Sequence, residues 1–239
     1  MTKVSRSLII LIVCTLSFTL VSAQKNDSLQ KSNSFVGIRF GAALPMGELA
    51  SHEYGYGGYA LLGTSFGGEA AWYVTPKLGF GVDYSMNSFN FATGYYVEDF
   101  YQANSADYAN VTMLSGPWRV KTYMGGAYYK IAVNRKFSTT LKLMGGVFTA
   151  RSPDQFFGIK TIRFGNLNWY KTGAKSNKFT FLTGASFEYK LYDKVSLLIQ
   201  ADFTYSKAAF TFITGSTSSY TDYLGMPVFR LQPGINIHF

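Results

Sequence analysis

Between residues 195 and 206 the chain alternates almost without exception. Val195, Leu197, Ile199, Ala201, Phe203 and Tyr205 occupy one set of positions, and Ser196, Leu198, Gln200, Asp202, Thr204 and Ser206 occupy the other. Successive side chains of a strand point to opposite faces, so this period of two gives one apolar face and one mostly polar face. The same split separates Leu78, Phe80, Val82, Tyr84 and Met86 from Gly79, Gly81, Asp83, Ser85 and Asn87. It recurs as Phe137, Thr139, Leu141 and Leu143 against Ser138, Thr140 and Lys142, and along Phe179, Phe181, Thr183, Ala185, Phe187, Tyr189 and Leu191. Aromatic residues make up 18% of the chain and charged residues 15%, with 24 Gly beside 6 Pro, which suits strands and excludes a disordered chain.

The first 23 residues read as a cleaved signal peptide (1–23). Lys3 and Arg6 precede the apolar run from Leu8 to Leu20, which is too short to span a bilayer, and Val21-Ser22-Ala23 fits a small-residue cleavage site. Cys14 is the one cysteine; Val13 stands before it where a lipidation site wants a small residue, so no lipid anchor and no disulfide framework is expected. Residues 24–34 are expected to form a short periplasmic segment and 35–239 the folded domain. Beyond the leader no stretch approaches the roughly 18 consecutive apolar residues of a membrane helix, which excludes a helical inner-membrane protein.

Short turns organise the alternating runs. Thr75-Pro76-Lys77, Asn134-Arg135-Lys136 and Tyr192-Asp193-Lys194 each join two runs, and the intervening connections, about 44–57, 91–117, 151–177 and 212–226, are long, polar and rich in tyrosine. Short turns at one end and long loops at the other are the pattern of a transmembrane barrel, with the turns expected in the periplasm. Strands at 36–43, 58–74, 78–90, 118–133, 137–150, 178–191, 195–211 and 228–239 give an all-β, eight-stranded antiparallel up-and-down barrel. A soluble sandwich would bury the apolar face and would seldom carry so many strands this long.

A three-residue turn at 75–77 places Glu69 opposite Asp83 on the inward face. Two facing carboxylates repel unless one keeps its proton or a cation intervenes, and Arg39 on the first strand is the expected cation. Lys142 and Arg230 on the same face, with Glu188 and Asp202, give a lumen polar cluster of both signs. That balance favours an internal salt-bridge network over a proton or metal site, and an eight-stranded interior is only wide enough for side chains to fill.

The C-terminal Gln232-Pro233-Gly234-Ile235-Asn236-Ile237-His238-Phe239 resembles the terminal assembly signal of outer-membrane barrels, carried by Gln232, Gly234, Ile237 and Phe239. The segment from Gly37 through Pro45 to Leu49 is similar to the opening strand and loop of the small barrels of the PorT-like and OmpA/OmpX-like class common in Bacteroidota. The resemblance covers the whole chain past the leader. It implies residence in the cell outer membrane, contact with its lipid and lipopolysaccharide, and insertion by the barrel assembly machinery; it implies no single activity.

Enzymatic readings have few parts to use. There is no His-Glu-x-x-His, no Gly-x-Ser-x-Gly and no cofactor motif, so neither catalytic nor metal-binding residues are assigned. Among resembling barrels, those that modify lipid A place His, Ser and an acid near the outer rim, and Ser51-His52-Glu53 with Asp99 or Ser105 is the set that would have to serve. A narrow channel of the OmpW-like kind is the other alternative to a structural, binding or adhesion role. The loops differ in charge: 91–117 holds Glu98, Asp99 and Asp107, whereas 151–178 holds Arg151, Lys160, Arg163, Lys171, Lys175 and Lys178 against Asp154. The two loops are expected to pair with each other or to meet lipopolysaccharide phosphates. Alternatively Lys160, Arg163, Trp169, Tyr170, Lys171 and Lys175 form a surface for an extracellular ligand or an envelope protein. The pI near 9.4 does not signal nucleic acid, because the positive charge sits on the loops of an exported barrel.

Overall fold

The computed structural model describes residues 34–213 and 218–239; the expected signal peptide (1–23) and nearly all of the expected 24–34 segment lie outside the described residues. Eight strands close a barrel: β1 (Phe35–Pro45), β2 (Ala60–Tyr73), β3 (Leu78–Phe91), β5 (Trp118–Ala132), β6 (Phe137–Arg151), β9 (Lys175–Tyr192), β10 (Val195–Tyr205) and β13 (Val228–His238). Each pairs antiparallel with its chain neighbours, and β1 pairs with β13 to close the ring, which leaves no exposed edge in the wall.

The period-two pattern sets the two faces. Ile38, Val82, Leu143, Phe187, Ile199 and Ile237 point outward and are exposed, while Ser65, Asp83, Thr122, Thr140, Gln200 and Asn236 are buried within. An outward belt of this kind suits the hydrocarbon of a bilayer, and closure lets every backbone polar group of the wall find a partner inside the ring. Aromatic pairs mark its short-turn end: Phe137 with Tyr189 at 4.9 Å and Trp72 with Phe239 at 6.0 Å.

Glu69 pairs with Asp83, Ala132 with Ser138 and Leu197 with Tyr189, as three-residue turns demand. The third turn is tighter than expected. Tyr192 itself pairs with Val195, and a bulge between Val195 and Ser196 absorbs the odd residue before the register resumes. The strand expected over 195–211 also divides. At Ser206 the hydroxyl donates to the Phe179 carbonyl at 2.9 Å and the backbone carbonyl accepts the Met226 amide at 2.8 Å, and the chain then leaves the wall.

The long connections are structured. The first carries helix α1 (Gly47–Ala50). The second holds helix α2 (Thr93–Ala103) and β4 (Tyr108–Ser115), and the third holds β7 (Gln155–Thr161) and β8 (Gly165–Lys171). Strands β4, β7 and β8 form one three-stranded sheet, while β11 (Lys207–Ile213) and β12 (Ser219–Gly225) form a hairpin. Phe100 of α2 packs with Val111, Met113, Phe157 and Ile159 of the loop sheet, which gives that sheet an apolar core of its own.

Candidate functional site

The lumen is filled by side chains. Phe35, Ala71, Met124, Tyr128, Met144 and Leu182 form an apolar cluster that runs from Phe35 at the short-turn end to Met124, level with Asp83, and to Met144 and Leu182, on the loop side of Lys142. At the long-loop end Leu49, Phe89, Trp118, Phe148, Phe210 and Met226 belong to a larger apolar cluster, to which α1 and the β11–β12 hairpin both contribute. The charged residues lie buried between strands on opposite sides of the ring.

Arg39 donates to Glu69, to Asp83 at 2.6 Å and to the Gln200 side-chain carbonyl at 2.7 Å. Lys142 reaches from the other side of the barrel to Glu69 at 2.7 Å and to Asp83 and Asp202 at 3.2 Å each. Arg230 holds Asp202 at 3.0 Å, and the Gln200 amide donates to the same carboxylate at 2.6 Å. Six of the seven expected lumen residues thus share one network of three cations and three carboxylates. Two cations, where the sequence offered Arg39, separate the facing acids.

Backbone space makes the network fit. A Cβ on Gly184 would lie 2.0 Å from an Asp202 carboxylate oxygen, and one on Gly234 would lie 2.6 Å from Cγ of Arg39. Glycine at these two inward positions is what lets long side chains lie flat against the wall.

Glu188 stands apart from the other six. It meets His238 at 2.9 Å and Lys130 at 3.8 Å near the short turns, and Ser196 also contacts Nε2 of His238 at 2.9 Å. Serine and acid share one imidazole nitrogen, so this trio lacks the two-sided relay of a hydrolytic triad. Lys130 escaped the sequence reading, although register could have found it: Tyr128 pairs with inward Lys142, which puts Lys130 inward two residues on. Gln200 was missed because an inward amide gives no signal of its own in a period-two pattern.

The rim set does not assemble as a triad either. The His52 ring stacks on Tyr95 at 4.6 Å and on Tyr59 at 5.4 Å. The Ser51 hydroxyl accepts the Glu53 amide at 3.1 Å, Asp99 accepts the Tyr59 hydroxyl at 2.6 Å, and the Ser105 hydroxyl donates to the Gln102 carbonyl at 3.4 Å. Tyr59 instead is a structural pin. Its φ of 50° is a conformation that a bulky residue rarely adopts, held because its amide donates to Ser51 and its carbonyl accepts from Ala92. Burial, then the Asp99 carboxylate, pushes the Tyr59 hydroxyl well above the ordinary tyrosine range, and burial raises Tyr96 beside it to about 12.

The acidic and basic loops do pair, but through backbone. Leu114 lies opposite Phe156 and Val111 opposite Ile159 along the β4–β7 ladder, whereas Asp154 is taken within its own loop by Arg151 at 2.9 Å and by the Gly173 amide at 2.7 Å. The Gly173 amide first, and then Arg151, hold the Asp154 carboxyl below its usual range. The expected loop ligand surface is split by strand alternation. Trp169 stacks on Phe157 at 5.0 Å on the face toward α2, and Lys171 lies over Phe212 at 4.2 Å with its ammonium pKa lowered by burial. Tyr170 pairs with Phe156, and Lys160 with Asn166, on the opposite face. Arg163 sits in the turn between β7 and β8, and Lys175 begins β9 at the barrel rim.

The residues expected to carry the assembly signal divide between the two surfaces. Gln232 donates to Ser65 at 3.0 Å inside, Gly234 lies under Arg39, and Ile237 and Phe239 belong to the exposed outer belt.

Solved structures are similar to this chain in fold. Neisserial surface protein A matches over 88% of this chain and 99% of its own, at 13% identity and a TM-score of 0.50. The fold is that of a small outer-membrane barrel. A major outer membrane protein of Thermus thermophilus matches at 14% identity over 86% of this chain and 99% of its own, with a TM-score of 0.49. Ail, the attachment invasion locus protein of Yersinia pestis, matches at 13% identity over 88% and 100%, with a TM-score of 0.45. No family model matches the chain, and no curated protein matches its sequence.

Proposed function

We propose that this protein is an outer-membrane barrel of structural and binding type, with a lumen closed by its own side chains and its long-loop end turned outward as a folded platform. The observation that carries the reading is the filling of the lumen: a charge-balanced network locked across the barrel and packed among two apolar clusters. A conducting pore needs a hydrated path and favours rings of one sign, whereas each inward charge of the central network meets an opposite one. The outward platform, with its own small core, is built to present a surface rather than to gate a channel. Extracellular partners and the assembly machinery belong to the same proposal.

Planar-bilayer recording tests it. The wild-type barrel is expected to give no stepwise conductance, and Arg39→Ala combined with Lys142→Ala, which opens space across the lumen, is expected to raise transient current. Regular conductance steps from the wild-type protein would overturn the sealed reading.

A further inference from the structure

Cross-strand pairing lines up three cations on the outside of the wall. Arg119 of β5 lies opposite Arg151 of β6, and Arg151 lies opposite Lys175 of β9, all at the long-loop ends of their strands. Lys121 points outward two residues below Arg119. Like charges directly opposite one another are destabilising, and four cations face one acid here, Asp154, which Arg151 already holds. Among the described residues no carboxylate lies within ion-pair distance of Arg119, Lys121 or Lys175.

Beside these cations the wall carries a groove of about 300 Å³ lined by Phe40, Phe66, Met86, Ser88, Arg119 and Lys121. Phe40 pairs with Phe66, Phe66 with Met86, and Met86 with Lys121, so an apolar row runs straight into the basic one. Adjacent strands lie about 4.8 Å apart, so the row from β5 to β9 spans about 10 Å, room for more than one phosphate.

We propose that this corner of the barrel binds a bisphosphorylated lipid of the lipid A kind, with its phosphates on Arg119, Lys121, Arg151 and Lys175 and an acyl chain along Phe40, Phe66 and Met86. Guanidinium groups favour phosphate through paired hydrogen bonds, and the groove places an apolar tail next to that headgroup. The site rests on the reading of the barrel as a membrane span. It lies on the wall: Arg151 and Lys175 come from the basic segment that the sequence singled out, Arg119 and Lys121 do not, and Lys160, Arg163 and Lys171 of the β7–β8 hairpin lie apart from it.

The test uses the full-length folded protein in phosphatidylcholine nanodiscs carrying a small fraction of lipid A, with lipid retained per barrel read by native mass spectrometry. Retention of lipid A is expected to exceed that of dephosphorylated lipid A and of phosphatidylglycerol by about tenfold, the scale of one strong charge-assisted contact set. Arg119→Ser with Lys121→Ser is expected to remove most of the difference. Equal retention of the three lipids by the wild-type protein, or an unchanged preference in the variant, would overturn the site. Failure of the wild-type protein to insert into phosphatidylcholine bilayers alone would instead overturn the membrane reading, and the wild-type lipid comparison stands even if the variant folds poorly.

Discussion

At the scale of single residues, the lumen is decided by where a side chain is missing as much as by where a charge is present. Arg39 and Lys142 both contact Glu69 and Asp83, so neither cation alone offsets the repulsion of the two acids. Gly184 makes room for this sharing, because Asp202 and the Lys142 stem occupy the space its Cβ would take. Gly184→Ala is therefore expected to destabilise the barrel by about 1–3 kcal/mol through forced displacement of the carboxylate. Gly68 has a nearest neighbour at 3.6 Å, and Gly68→Ala is expected to be close to neutral. Urea unfolding in lipid vesicles measures both; a Gly184 variant as stable as the Gly68 variant would show that the network yields at little cost. Parity and a three-residue turn at 192–194 place Gly184 inward and opposite Asp202, but nothing in the chain says that the Asp202 carboxylate folds over it.

At the scale of elements, the three short turns and the eight wall strands were legible because period two and turn chemistry are local. The loop elements were not. Residues 155–161 and 165–171 form strands because β7 finds β4 and the turn at 162–164 reverses the chain, which is a pairing between segments far apart in sequence. The split of 195–211 at Ser206 has the same origin, since the exit of β11 from the wall depends on its pairing with β12. The loop sheet also predicts where a protease reaches. Phe164 is 89% exposed beside Arg163 at the hairpin tip. Trypsin added to intact cells is expected to cut at Arg163 and to spare Lys77, Arg135, Lys136 and Lys194 in the short turns. Cleavage at the short turns with Arg163 intact would reverse the orientation.

At the scale of the whole molecule, closure between β1 and β13 joins the first and last strands of the wall, so residues 228–238 complete it. His238 donates its amide to Lys194 and Phe239 donates its amide to Ser34, while the Phe239 ring packs beside Trp72 on the outer belt. We propose that the aromatic terminus serves insertion more than final stability, because the ring stays 57% exposed in the folded barrel. Phe239→Ala is then expected to slow insertion into lipid vesicles several-fold, seen as delayed appearance of the heat-modifiable band, while the urea midpoint of the inserted protein moves by less than about 1 kcal/mol. Unchanged insertion kinetics would remove Phe239 from the assembly signal.

The sequence by itself determined the barrel class, the inward face and the opposition of Glu69 to Asp83, because each follows from alternation and turn length within a hairpin; that eight strands rather than ten close the ring was decided by the pairing of β1 with β13. Only the tertiary structure decided that Lys142 crosses the lumen to join Arg39, that Glu188 pairs away from the others with His238 and Lys130, and that Arg119, Arg151 and Lys175 form one outward row. Those contacts depend on ring closure, on the stagger between non-adjacent hairpins and on the reach of long side chains. Adjacent residues in one hairpin carry that information only up to the next strand, and a pattern of period two holds no record of what faces it across the ring.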